Sequence, residues 1–222
     1  MGDVLLFPGQ GSNAHFSDQE TLNRTREDLG DTFRPVFDDF LRECRNAFIV
    51  ELESLSSEER SILEELGDLA TTFEDPDFLL RPPVQCQTHP VIETLTLYLR
   101  QILELILYQA RRETSQTPVE TTGVCTGILP AILAASYSSF SSPRFLTAAV
   151  HGFRLAFWIG LRVSLFCRNT VGDKWRDHAW ALSIFGSSVE EVKDILNNHS
   201  TESVSTIPPR TSYDLDMMLT SI

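Results

Sequence analysis

Short apolar runs and long stretches with helical spacing alternate along the chain. Near its start "DVLLF" is an apolar run cut off by "PGQGS". Proline plus two glycines is strong turn punctuation, which predicts a strand and then a tight turn. From Thr21 to Leu66 the pattern is helical, with Phe33, Val36, Phe37 and Phe40 at helix spacing. Acids gather between Glu51 and Asp77, among them Glu58, Glu59, Glu64, Glu65, Glu74 and Asp75, and read as a solvated face or loop. From Pro90 to Arg112, Ile92, Leu95, Leu99, Ile102, Leu103 and Ile106 form one apolar stripe. That is the clearest helix in the sequence, and Thr88 or the turn before Pro90 begins it.

"VETTG" predicts a short strand and "ILPAILAASY" a helix after it. The run from Phe145 to Phe166 is long enough for a membrane span, but His151, Arg154 and Arg162 interrupt it. A bilayer disfavours such arginines, so the run predicts a buried core helix and no membrane. Further on, "HAWALSIFG" reads as a strand and "SSVEEVKDILNNH" as a serine-capped helix, before a proline-broken, weakly ordered tail.

Composition narrows the function classes. With 222 residues, 42% of them hydrophobic, the chain can bury a core without staples. A formal charge of -13 with no basic stripe argues against a nucleic-acid partner. The four cysteines, Cys44, Cys86, Cys125 and Cys167, form no CxxC pair and no metal-ligand grouping, so no metal is expected. They read as reduced thiols, and the absence of a secretory pattern near Met1 makes the cytoplasm the expected compartment.

One of these cysteines is unusually set. "GVCTG" puts Cys125 between Gly123 and Gly127, after a predicted strand and before a predicted helix. A nucleophile on such a turn is lifted clear of the sheet, the glycines remove side chains that would clash, and the helix start offers free N–H groups. The backbone N–H of Thr126 would then face a developing oxyanion. A small buried cysteine in a glycine-rich turn is the alternative reading.

Three stretches occur in order: "FPGQGS", "QTHPVIETLTLYLRQIL" and "GVCTGILPAIL". Together they resemble the malonyl-CoA:acyl carrier protein transacylase-like acyltransferases. The cysteine, where most of that family has serine, resembles more closely the starter-unit acyltransferase (SAT) domain of fungal non-reducing polyketide synthases. The resemblance runs from about Val4 to about His199. It implies an acyltransferase fold of the α/β class: residues 1–170 as a core resembling the α/β-hydrolases, with a mostly parallel sheet and helices on both faces, and residues 171–222 as a truncated ferredoxin-like small subdomain with its tail. It also implies that Cys125 takes a starter acyl group from acyl-CoA and passes it to the phosphopantetheine of an acyl carrier protein or polyketide synthase, with no cofactor held. Gln10 and Thr126 would supply the oxyanion hole through their backbones.

Two departures from the family accompany this. Extender-unit relatives carry an arginine in the helix after the nucleophile; Trp158 falls near that place, with Arg154 and Arg162 beside it, so Trp158 and Arg162 are the candidate substrate-binding residues. An aromatic there suits an uncharged starter, and core packing is the other reading of Trp158. The family's general-base histidine lies well over a hundred residues beyond the nucleophile, and none of His15, His89, His151, His178 and His199 matches it, so the base is unassigned. His151, inside an apolar helix, reads as a satisfied core histidine. A non-catalytic remnant that binds a carrier or synthase is therefore the alternative function, and a thioester hydrolase ranks third. Arg162, Arg168, Lys174 and Arg176 form the one dense basic patch for an acidic carrier, or else the solvated end of a helix.

Overall fold

The computed structural model describes residues 3–9, 19–112 and 119–172. They belong to the first of two compact units, Met1–Trp175; the second, Arg176–Ile222, lies outside the described residues. The strand and helix expected at "HAWALSIFG" and "SSVEEVKDILNNH", and the small subdomain they would open, are outside them too.

Strand β1 (Asp3–Phe7) pairs in parallel with β2 (Val119–Gly123), Asp3 opposite Val119 and Phe7 opposite Gly123. Strict alternation sends Phe7 into the core and leaves Val4 and Leu6 exposed. Among the described residues the sheet has these two strands, and the rest is mostly helical.

The helical stretch expected over 21–66 is broken into pieces. Helix α1 (Gln19–Ser54) is interrupted at Gly30, whose φ of 63° belongs to the left-handed region, and Pro35 just beyond has no N–H to return. Helix α2 (Ser57–Ser61) starts afresh from Ser56, which forms a capping box with Glu59. Short helices α3 (Leu69–Thr72) and α4 (Val84–Gln87) lead into α5 (Pro90–Ala110). After β2 come α6 (Ile128–Ser136) and α7 (Pro143–Val171).

Helix α5 is the centre of the unit. Its side chains are buried nearly all round, including Ile92, Leu95, Leu99, Ile102 and Ile106, so the stripe seen in the sequence understates its burial. Helix α7 lies tightly on it because of two glycines. A Cβ on Gly152 would fall 2.2 Å from the Tyr98 hydroxyl oxygen, and one on Gly160 2.9 Å from the Cα of Val91. Tyr98 in turn donates to the carbonyl of Ala149 at 2.7 Å. Phe145, Phe153, Phe157 and Leu161 are fully buried on the same side, as expected for a core helix. By length and composition alone α7 could cross a membrane.

The acids between Glu51 and Asp77 are not all solvated. Glu58, Glu64, Glu65, Glu74 and Asp75 are exposed, but Glu51 is buried and accepts from Arg154 and from the indole N–H of Trp158, the latter at 2.8 Å. Glu59 is buried against Ser56 and pairs with Arg162 at 2.9 Å. Asp77 receives the guanidinium of Arg26, which Asp38 also holds at 2.8 Å. Burial works to raise the Asp77 carboxyl, yet the hydrogen bond and charge of Arg26 leave it below its usual value.

His89 caps α5. Its Nδ1 accepts from Val91 N–H at 3.3 Å while Nε2 lies 3.2 Å from the carbonyl of Ile62, so the neutral ring carries its proton on Nε2. Burial lowers this imidazole to about 4, against a smaller raising effect from the Ile62 carbonyl. The unfolded chain therefore takes a proton near pH 6.5 that the folded chain refuses until about 4. Stability from this group is complete above about pH 6.5 and is lost progressively as pH falls toward 4, on the order of 3 kcal/mol in all. Urea titrations of wild type and His89→Asn across this window should show a shallower pH slope in the variant; equal slopes would contradict it.

Candidate active site

The site begins with the turn that leaves β2. The ladder continues one residue past the strand, Val124 N–H donating to Phe7 O at 3.0 Å, and then the chain reverses into a helical turn at Cys125–Gly127 that runs on as α6. Cys125 stands at the bend with φ of 56°, the one non-glycine residue in the left-handed region among the described residues. Such a conformation costs about 1–3 kcal/mol and persists only where its surroundings impose it.

Those surroundings are backbone brought against backbone. A Cβ on Gly123 would lie 2.3 Å from the carbonyl oxygen of Gly127, and one on Gly127 would lie 2.2 Å from that of Phe7 and 2.7 Å from that of Pro8. A Cβ on Gly9 would lie 2.7 Å from the Cβ of Cys125. The turn after β1 and the turn after β2 are thus interlocked, with no room for a methyl group at their contacts. The glycines of "GVCTG" do what the sequence pattern asked of them, and Gly9 of "PGQGS" joins them.

This packing leaves Cys125 exposed, whereas Cys44, Cys86 and Cys167 are buried. Burial raises all three of those thiols, so they are both hidden and inert. Thr126 occupies the second position of the helical turn, where a backbone N–H has no acceptor inside the helix. Its hydroxyl is buried and has no partner among the described residues. Gln101 of α5 is also buried; its amide donates to Pro8 O at 2.7 Å, and its Oε1 has no partner among the described residues. Two unsatisfied buried polar atoms, each costing about 1–3 kcal/mol, sit in side chains that support the turns around one cysteine.

The other sequence candidates fall elsewhere. Gln10, His15, His178 and His199 lie outside the described residues. Trp158, half-buried, gives its N–H to Glu51 and packs its ring against Phe157 and Arg162. Trp158 and Arg162 are therefore joined to acids of α1 and α2, and no hydrogen bond or ring contact brings them to Cys125. Arg168 donates to the Ser61 hydroxyl at 2.7 Å, so two of the four basic-patch residues are tied to α2 or the residues around it, and Lys174 and Arg176 lie outside the described residues. His151 is exposed on α7, not a core histidine, and lines with Asp39 and Glu43 of α1 a cavity of about 330 Å³ whose lining does not include Cys125. The Cys125 carbonyl accepts from Ile128 N–H, but among the described residues no histidine and no hydrogen bond is found at the Cys125 thiol, and no cluster of metal-ligating side chains occurs. Gln101 is the residue that the sequence reading passed over. Its signal was a polar side chain three positions after Tyr98 and one before Ile102, inside an otherwise apolar face.

Two measurements follow from this geometry. Iodoacetamide should modify one thiol in the native protein and four after denaturation, the single native adduct vanishing in Cys125→Ala; more than one rapid native adduct would contradict the burial pattern. Because glycine adopts a positive φ without strain, Cys125→Gly should be more stable than Cys125→Ala by about 1 kcal/mol in urea titrations. Equal or lower stability would show that the bend is not strained.

Comparison with known proteins gives a family. Residues 14–212 match the family described as starter unit:ACP transacylase in aflatoxin biosynthesis. Curated relatives include an orsellinic acid synthase of Beauveria bassiana, 31% identical over 157 residues, and the orsellinic acid synthase ArmB of Armillaria ostoyae, 37% identical over 200 residues. A third, from Armillaria mellea, is 36% identical over 174 residues. These alignments cover 71%, 83% and 73% of this chain but only 7%, 9% and 8% of those proteins. No solved structure shows a significant match. With the family match running through Cys125 and across most of its length, the chain belongs to the starter unit:ACP transacylase family.

Proposed function

We propose that the chain acts in polyketide biosynthesis as a starter-unit acyltransferase, with Cys125 as the nucleophile. The observation that carries this reading is the exposed cysteine held at φ 56° between a parallel strand and a helix start, in a chain of this family. The thiolate of Cys125 attacks the thioester carbonyl of acyl-CoA, and the C–S bond to coenzyme A breaks with release of its thiol. The phosphopantetheine thiol of an acyl carrier protein then attacks the Cys125 thioester, taking the acyl group and returning the cysteine. Both half-reactions exchange one thioester for another, so the covalent intermediate lies at nearly balanced energy and ping-pong kinetics result.

The backbone N–H of Thr126 serves the oxyanion, and that of Gln10 is its proposed partner. An oxyanion donor of this kind contributes about a hundred- to a thousandfold in rate. The parallel pairing of β1 with β2 around the elbow supports an acyltransferase fold of the α/β class. The acyl carrier and the synthase that holds it are the proposed partners, in keeping with the names of the relatives, whose lengths far exceed the part matched here.

One observation favours a second reading, a carrier- or synthase-binding module without catalysis: no general base meets Cys125 among the described residues. Intact-protein mass spectrometry after incubation with acetyl-, hexanoyl- and malonyl-CoA separates the two. The expected result is a gain of one acyl group that is lost in Cys125→Ala, with an uncharged acyl chain preferred. Folded protein that gains no mass with any donor would favour the binding module.

A further inference from the structure

We infer that Gln101 is a positioning residue for Cys125, acting through the Pro8–Gly9 peptide. Helix α5 buries mostly apolar side chains together with Thr94 and Thr96, and Gln101 is the one carboxamide it buries, only 2% exposed. A buried carboxamide costs free energy unless its polar atoms are hydrogen-bonded. Its Nε2 donates to Pro8 O at 2.7 Å, and among the described residues this is the bond that the Pro8 carbonyl makes.

The peptide that begins at Pro8 O ends at Gly9, and Gly9 is the residue packed on Cys125, where even a Cβ would lie 2.7 Å from that of the cysteine. A peptide unit is planar, so fixing its oxygen fixes the direction of its N–H and the position of the next Cα. Gln101 thereby ties the turn after β1 to the rigid central helix, and the turn in turn covers one side of Cys125. It touches neither the thiol nor, in the proposed reaction, the acyl group. Its place three residues after Tyr98, which binds α7 through Ala149 O, makes the same helix the common support of the core and of the site.

Gln101→Leu keeps the volume and removes the donor. Pro8 O then turns toward water, and the turn lifts from Cys125. Iodoacetamide should alkylate Cys125 several-fold faster, with Cys44, Cys86 and Cys167 still protected, while acylation by acyl-CoA slows by about 100-fold because the oxyanion donors beside the turn are displaced. Unfolding would also speed alkylation and stop acylation, but it would expose Cys44, Cys86 and Cys167 as well, so their continued protection separates a displaced turn from a lost fold. Only the acylation arm rests on the proposed acyl transfer: if wild type accepts no acyl group, that reading fails, and the alkylation arm still decides the role of Gln101.

Gln101→Glu gives a second test should the leucine variant expose all four thiols. A carboxyl there can donate to Pro8 O only while protonated. The alkylation rate of this variant relative to wild type at the same pH should approach one in acid and rise as the pH increases. Unchanged rates in the folded Gln101→Leu protein, or a pH-independent ratio for Gln101→Glu, would overturn the inference.

Discussion

Everything at the candidate site depends on how closely two backbone turns approach. The carbonyl oxygens of Phe7 and Pro8 lie 2.2 and 2.7 Å from where a Cβ of residue 127 would be, and the Cβ of Cys125 lies 2.7 Å from where that of residue 9 would be. A side chain at any of these glycines would force the two turns to shift apart. The contact therefore works only with glycine, and it is this contact that offsets the left-handed backbone of Cys125. An exposed thiol at a helix start results, with no side chain bonded to it among the described residues.

The support beneath the turns is helix α5. On one side it accepts α7 at two glycines and grips it through Tyr98; at its start His89 caps it and ties it to Ile62; and Gln101 reaches the turn after β1. Core packing and site geometry thus share one rigid element. A site supported from a buried helix keeps its geometry better than one built on loops alone. The polar cost is concentrated there as well, in the unpaired Oε1 of Gln101 and the hydroxyl of Thr126.

Much of this was legible in the sequence because the signals were local. Glycine on either side of Cys125, the proline–glycine turn after "DVLLF" and the apolar periods of α5 and α7 all report constraints that act within a few residues. What the sequence hid were contacts between distant segments. Glu51 looks like one of many acids until Arg154 and Trp158, over a hundred residues on, are seen to converge on it. The same contact gives Trp158 a structural partner that no local pattern announces. His151 sits in an apolar run, yet its position on α7 leaves it exposed beside a cavity that α1 also lines. The break in α1 at Gly30 was obscured because apolar spacing continues on both sides of it.

In the proposed reaction Cys125, on this glycine-built bend, is a way station for acyl groups rather than a buried structural thiol. The most direct test is a chase. Protein loaded with a labelled acyl group is digested and mapped, and a second portion is mixed with pantetheine before mapping. The label should sit on the peptide holding Cys125 and pass to pantetheine in equal amount. Label on another residue, or its release as free acid without acyl-pantetheine, would contradict it.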